Sequence, residues 1–446
     1  MTEVSVHYSA NSCLSPRRNR AAMTGGYSRL FPDLAGYSVP PADLIRLGRL
    51  GGVCDGSTDQ QEADGAAGWP LFGQYIAHDL TADRSQVERI DHADVENFRQ
   101  PKFNLECLYG VGPTGAPFMY DWNDGAKFLI ASGGWDLPRN TQGIAVISDP
   151  RNDSNRVMNQ LQVSFMRAHN KRVDELRAEG RQEEVLFDEA RQDILWHYQW
   201  VVLNEFLPQV AGGALVSEIR EQEDVFPNWA GLTIPYEFAD AAYRYGHSQI
   251  RESYKLIPGS EAVDLFPHML GFSPLPEGHA ITDWGIMFDR DTSTAQRAMK
   301  ITEKFPAALL AMPGEITGPV KDEGYKSLAN RDMQRGNLVE LPSGEAIAAA
   351  MGQTPLSADQ IGLPNWDGET PLGYYIMREA ALLCDGQCLG PVGGRIVAGV
   401  MCGLLRSDPS SFLNADPNWA PFLIAPGRSP TKRYSLINLL DYATTT

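Results

Sequence analysis

The apolar residues of this chain recur mostly at helical intervals. Over residues 68–81, Leu71, Tyr75 and Ile76 form one stripe, and Pro70 suits a first helical turn, where its missing N–H costs nothing. The spacing predicts a short, mostly buried helix there. From a cap at Asp153 or Ser154, residues Met158, Leu161, Phe165 and Val173 keep helical spacing to about Glu179, with Gly180 as a natural stop. A second apolar helix is predicted from about Phe187 to Leu207, ending before Pro208 and filled by Trp196, Tyr198 and Trp200. Residues 238–250 read as another. Strand-like alternation is scarce, so the pattern predicts a mainly α-helical fold. Residues 1–50, with Gly25-Gly26, Pro32 and Pro40-Pro41, read as an irregular arm wrapping a core, and residues 51–446 as one large domain.

Polar residues interrupt these stripes at a few places. Gln74 and His78 sit one turn apart on the first helix, and a buried imidazole beside a carboxamide needs either a core hydrogen bond or a ligand. His169 and His197 lie in packed helices without a second polar group at ligand spacing, and read as structural. His247 follows Gly246, whose helical cost of about 1 kcal/mol implies that something uses the space it leaves; a flat ligand would. Arg331, Asp332 and Arg335 gather around a helix end, and residues 100–110 carry alternating side-chain oxygens suited to a hard cation. The glycine-rich run 389–395 lacks both the following Lys-Ser/Thr and the preceding strand of a phosphate loop.

Composition narrows the function. A chain of 446 residues has room for about three average domains, yet no linker, repeat or low-complexity run divides it. A formal net charge of −18 argues against nucleic acid and anionic membrane as partners, and favours a small or neutral substrate. No apolar window of about 18 residues exists to span a bilayer, and residues 1–20 lack the apolar middle of a secretory signal, so a cytoplasmic protein is expected. Cys384 and Cys388 flank a turn; a redox pair or zinc half-site is the alternative.

One set of motifs, in order and at these separations, is similar to the peroxidase–cyclooxygenase superfamily, and most to bacterial members of the group containing myeloperoxidase and lactoperoxidase. It comprises Gly73-Gln74 with His78-Asp79, Asp149 and Arg151, His169-Asn170, Arg244-Tyr245-Gly246-His247, and Arg331-Asp332 with Arg335-Gly336. The likeness runs from about residue 50 to the end, including Leu105, Leu108-Tyr109-Gly110, Gly112-Pro113 and residues 389–393. It implies a single-domain, mainly helical haem peroxidase fold. It also implies hydrogen peroxide and a small organic or halide reductant as substrates. Haem iron needs one protein ligand, and His247 matches it. A base must carry the peroxide proton from the near to the far oxygen, and His78 matches it, with Gln74 beside it. A guanidinium aimed at the leaving oxygen stabilises its charge, and Arg151 matches that position. Arg244 and Arg335 match the residues that hold haem propionates.

Three departures individualise the chain. Ala77 and Ser154 stand where mammalian relatives place the carboxylates that bond haem covalently, and Asn155 where myeloperoxidase has a haem-linked methionine, so non-covalent haem b is expected. Asp332 replaces an asparagine that holds the proximal histidine; a carboxylate there pushes more electron density onto the iron, unless it salt-bridges Arg331 or Arg335 instead. Asp79, Asn104 and Glu106 are the calcium candidates, but Gln100 and Asn104 supply neutral oxygens where relatives use threonine and aspartate. The alternative reading is a haem-dependent oxygenase or dioxygenase of a lipid or biosynthetic intermediate. Such enzymes place a radical tyrosine three residues before the proximal histidine, where this chain has Arg244, with Tyr243 one residue off. A non-catalytic haem-binding protein is the third. Residues 250–300 and the acidic loop after Asp79 are expected to line the entrance.

Overall fold

Pro41 opens the first helix, α1 (Pro41–Gly48), because a proline in the first turn forfeits no hydrogen bond. The computed structural model describes residues 26–82, 97–290, 295–320, 322–426 and 433–444. Ahead of α1, Tyr27–Ser28 pairs in parallel with Ile234–Pro235, so part of the expected arm is tied into the domain. Strand Glu62–Ala66, antiparallel to Arg297–Met299, delivers the chain into α2 (Gly68–Leu80). Further helices are α3 (Arg156–Ala178), α4 (Leu186–Val201), α5 (Leu328–Leu338), α6 (Leu372–Leu383), α7 (Pro391–Ser407) and α8 (Leu436–Thr444), with another at Gly213–Glu221. Sheets among the described residues have two strands each.

The core is organised by α2. One flank packs on α3, where Tyr75 stacks on Phe165 with centroids 5.2 Å apart. Its N-terminal end sits in an aromatic cluster of Trp69, Phe72, Phe206 and Phe288. Gly68 is required there, since a Cβ would lie 2.4 Å from the Phe288 ring. Helices α3, α4 and α8 pack together on one side; α1, α5, α6 and α7 form the other.

Several expectations shift in detail. The cap of α3 is Asn155, whose side chain accepts the Met158 N–H at 2.9 Å, rather than Asp153 or Ser154. Gly180 does take the left-handed conformation that stops it, φ 83°. The next helix does not end before Pro208. A π-helical turn, Val202–Phe206, carries it on to Ala211, and the proline falls in the first turn of the segment that follows. Residues 238–250 are not one α-helix but a turn, Tyr236–Ala239, followed by the 3-10 helix Ala242–Gln249. No helix among the described residues is long and apolar enough to cross a membrane. The acidic loop expected at an entrance falls largely on residues 83–96, outside the described residues.

Candidate active site

His78 lies in the last turn of α2, buried at 6% exposure. Its Nδ1 faces Asn152 Oδ1 at 2.7 Å. The Asn152 amide donates through Nδ2 to Gln162 Oε1 at 2.8 Å, and that same oxygen accepts the Tyr75 hydroxyl at 3.1 Å. This relay fixes which way the amide points. Asn152 Oδ1 can only accept, so the proton rests on Nδ1 and the lone pair of His78 on Nε2. Burial, then the nearby Arg151 guanidinium, push the imidazole down to about 3, against the pull of Asp149 and Asn152. The ring is therefore neutral at ordinary pH. Gln74, one turn earlier and half-buried, has no hydrogen-bond partner among the described residues.

Arg151 comes from a 3-10 turn, Pro150–Asp153, that Asp149 caps by accepting the Arg151 N–H at 3.0 Å. The same carboxylate takes a two-pronged contact from the guanidinium, Nε at 3.0 Å and Nη2 at 2.7 Å. Nη2 also donates to the carbonyls of His78 at 3.1 Å and Thr81 at 2.7 Å, which leaves Nη1 unengaged among the described residues. Burial would raise the Asp149 carboxyl, but hydrogen bonds and charge from Arg151 hold it well below the usual carboxylate range. A second guanidinium, Arg99, shares Asp149 at 2.6 Å and reaches Glu106 at 3.0 Å and the His78 carbonyl at 3.3 Å.

On the other side, the 3-10 helix decides what faces what. Three residues per turn place positions three apart on one side. Arg244 and His247 both meet Asp332: His247 Nδ1 at 2.6 Å from Oδ2, Arg244 Nη1 at 3.1 Å from Oδ1. Tyr243 and Gly246 both turn to α2, the Tyr243 hydroxyl donating to the Gly73 carbonyl at 3.2 Å. A Cβ on Gly246 would meet Pro70 at 3.8 Å, ordinary contact, so the neighbour that uses this glycine's space is a proline of α2. Arg244 and Arg335, matched above to propionate positions, rest here on protein carboxylates: Arg335 Nε lies 2.8 Å from Asp240 Oδ1, and Arg244 on Asp332 and Asp240. A shallow recess borders this network, lined by Asp240, Arg244, Tyr245, Asp332 and Met377 but by neither His78 nor Arg151.

The two histidine segments thus touch. His247 belongs to the segment against Pro70, and His78 lies eight residues further along α2, roughly 12 Å at the normal helical rise. Both imidazoles have Nδ1 committed to a fixed polar partner and, among the described residues, Nε2 uncommitted.

The cation loop is folded on itself. Asp79 Oδ2 accepts the Leu105 N–H at 3.1 Å and the Tyr198 hydroxyl at 3.3 Å, while Oδ1 has no partner. Burial pushes the Asp79 carboxyl up to about 7, although the Leu105 amide and Arg99 lower it. Asn104 Oδ1 accepts the Glu106 N–H at 3.0 Å, and Glu106 pairs with Arg99.

Comparison with known proteins bears on the fold and on one segment of the chain. Residues 132–270, which hold Arg151, Arg244 and His247, match the animal haem peroxidase family. That match covers less than half of the chain. Over 197 residues, 42% of the chain, it is 26% identical to peroxidase mlt-7 of Caenorhabditis elegans, spanning only 25% of that protein. Its fold matches peroxidase A of Dictyostelium discoideum, TM-score 0.64 at 13% identity, covering 90% of this chain and 92% of that one. It also matches the fatty acid alpha-dioxygenase of Arabidopsis thaliana, TM-score 0.61 at 13% identity, covering 95% and 75%. The Oryza sativa fatty acid alpha-dioxygenase gives 0.59 at 15% identity, covering 87% and 77%.

Within this haem-peroxidase fold the remaining polar candidates have structural occupations. His169 Nε2 meets the Ala126 carbonyl at 2.8 Å and Nδ1 the Tyr109 hydroxyl at 3.2 Å. His197 Nδ1 meets the Asp193 carbonyl at 2.6 Å, and its Nε2 accepts the N–H groups of Phe422 and Leu423 at 2.8 and 3.0 Å. The glycine-rich first turn of α7 cradles a carboxylate of the protein itself: Glu379 accepts the N–H groups of Val392 and Gly393 at 3.0 and 3.3 Å. Cys384 and Cys388 flank a turn in which Asp385 and Gly386 have φ of 49° and 66°. Asn152 and Arg99 were not singled out from the sequence as parts of the site, and Asp149 was noted in the motif without a role; the signal for Arg99 was a basic residue between an acidic loop and a run of oxygen donors.

Proposed function

We propose that the chain is a haem-dependent peroxidase, using hydrogen peroxide to oxidise a small phenol- or amine-like compound, or a halide or pseudohalide, with haem b held non-covalently. The observation that carries this reading is the pair of imidazoles, each with Nδ1 tied down and Nε2 uncommitted, on two segments that touch. Haem, when bound, supplies an iron that takes up peroxide and exchanges electrons with the reductant. The donor set suits it. His247 would be the axial ligand through Nε2, because Asp332 holds its Nδ1 proton and fixes the ring.

His78, neutral and dry, is a base at Nε2 that takes the proton from the near peroxide oxygen and returns it to the far one. Arg151, braced on Asp149, offers Nη1 to the oxygen that leaves. Neither Ala77 nor Ser154 provides a carboxylate for a covalent link, and Asn155 is occupied capping α3. With a net charge of −18, approach of an anionic reductant is opposed, which ranks phenols and amines ahead of halides. Oxygenase action on a fatty acid or related lipid is the second reading, supported by the fold likeness to the alpha-dioxygenases. Against it, Arg244 holds the place of the radical tyrosine, and the buried Tyr243 hydroxyl is committed to a backbone carbonyl.

The test is haem loading of three proteins. Wild type should develop a Soret band and consume peroxide with a phenol. His247→Ala should lose the band, while His78→Ala keeps it and slows the peroxide reaction by about 10²–10⁴-fold. Variants indistinguishable from wild type would sink the assignment, and oxygen uptake with a fatty acid but no peroxide turnover would move it to the second reading.

A further inference from the structure

Three carboxylates, Asp79, Glu106 and Asp149, and the carbonyl of His78 converge beneath the C-terminal end of α2, where relatives lead one to expect a bound calcium. The donors do not fit that ion. Calcium takes six to eight oxygens, charged ones by preference. Here Glu106 is committed to Arg99 at 3.0 Å and to the Gln100 N–H at 3.4 Å. Asn104 spends its oxygen on the Glu106 N–H and turns its amide nitrogen, which cannot ligate a cation, toward Gln100 Oε1 at 3.4 Å. One oxygen, Asp79 Oδ1, is left without a partner among the described residues, and one is not a calcium shell. Among the described residues no group of three or more His, Cys, Asp or Glu side chains is arranged to hold a metal.

The charge at the centre of these oxygens is the Arg99 guanidinium. Its side chain is only 8% exposed, with Nη1 on Glu106, Nη2 on Asp149 at 2.6 Å and Nε on the His78 carbonyl at 3.3 Å. Its backbone is locked as well: Asn97 Oδ1 accepts the N–H groups of Arg99 and Ala82, both at 3.0 Å, and Asn97 Nδ2 donates to the Leu80 carbonyl at 3.0 Å. A planar fork of fixed donors can bind three oxygens from three chain segments at once. Those segments carry the site. One contact fixes the backbone of His78, another the carboxylate that braces Arg151.

We propose that Arg99 is the built-in structural cation of the distal side: a positioning residue that replaces a bound divalent ion, orients His78 and Arg151, and leaves the enzyme independent of calcium. The positioning part rests on the peroxidase reading above; independence of calcium does not, and the two are measured separately. The full-length holoenzyme, treated with EDTA and desalted, is analysed for calcium and for melting temperature. The expected result is less than about one-tenth of an equivalent of calcium before treatment and an unchanged Tm after it. About one equivalent of calcium, with a Tm that drops on chelation and recovers when calcium alone is added back, overturns the proposal.

Positioning is then read from Arg99→Lys and Arg99→Ala. The alanine variant is expected to melt at least about 5 °C lower and to react with peroxide about 10–100-fold more slowly, with the rate rising severalfold in millimolar guanidinium. The lysine variant, which keeps the charge but not the fork, should fold if alanine does not and lie between it and wild type in rate. A lysine variant with wild-type peroxide kinetics and Tm, or an alanine variant whose rate ignores guanidinium, overturns the positioning role.

Discussion

The chemistry of His78 depends on a residue that looks ordinary in the sequence. Asn152 holds the Nδ1 proton, and Gln162 and Tyr75 hold Asn152, so the base is aimed by three neutral side chains. Asn152→Ala should slow the reaction with peroxide by about 10–100-fold while leaving haem content unchanged, measured by stopped-flow against the Soret band. A base works in its neutral form, which prevails above its pKa. With Arg151, Arg99 and Asp149 facing it in a dry setting that puts His78 near 3, the peroxide rate should stay flat from pH 8 down to pH 5. An inflection near 6.5 would mean that the ring is hydrated. At this scale the sequence pointed to the groups whose chemistry is intrinsic, His78, Arg151, His247 and Asp332. Asn152 and Arg99 stayed hidden, and the role of Asp149 unread, because amides, carboxylates and guanidiniums are common. Their role exists only once contacts 74, 2 and 21 positions long close on His78 and Arg151.

At the scale of elements, periodicity found the helices but not their kind. Residues 238–250 have the apolar content of an α-helix, and the 3-10 form is set from outside, by Asp332 on one side and Gly73 and Pro70 on the other. Likewise the π-turn Val202–Phe206 lets a helix pass Pro208, which local sequence rules read as its end. The glycine run at the start of α7 was set aside as a phosphate loop, and its N–H groups instead hold a carboxylate of the protein. Gly390 must be glycine because a Cβ would sit 2.5 Å from Glu379. Burial pushes the Glu379 carboxyl up to about 7, against the N–H groups of Gly393 and Val392. A raised carboxyl contributes stability that is complete below its ordinary value and is lost as pH rises through the shifted one. Glu379→Gln should therefore cost about 1–2 kcal/mol at pH 5.5, and the deficit relative to wild type should shrink by pH 8.5 in urea melts. A deficit that grows with pH would contradict the assignment.

Across the whole molecule, buried titratable groups of both kinds bracket the stable range. His78, His169 and His197, pushed by burial to about 3, 4 and 3, are neutral in the fold and would take up protons on unfolding below 6.5. Their contribution is present above 6.5 and lost as pH falls. Glu205, raised by burial to about 8, and Glu379 act oppositely, their contribution fading as pH rises toward 8. Thermal melts should accordingly peak between pH 6 and 7 and fall on either side; a steady rise from pH 5 to pH 9 would refute the buried state of the two glutamates.

The joining of Tyr243 to Gly73 spans 170 positions, and that of His247 to Asp332 another 85. Closures that long are slow to form, because chain entropy must be surrendered before contacts repay it. During synthesis the half bearing the base emerges well before the carboxylate that steadies the axial imidazole. A partly folded chain thus owns its helices but not its paired rings, so on the proposed reading the timing of porphyrin supply, as much as its amount, would decide how much active protein a cell obtains.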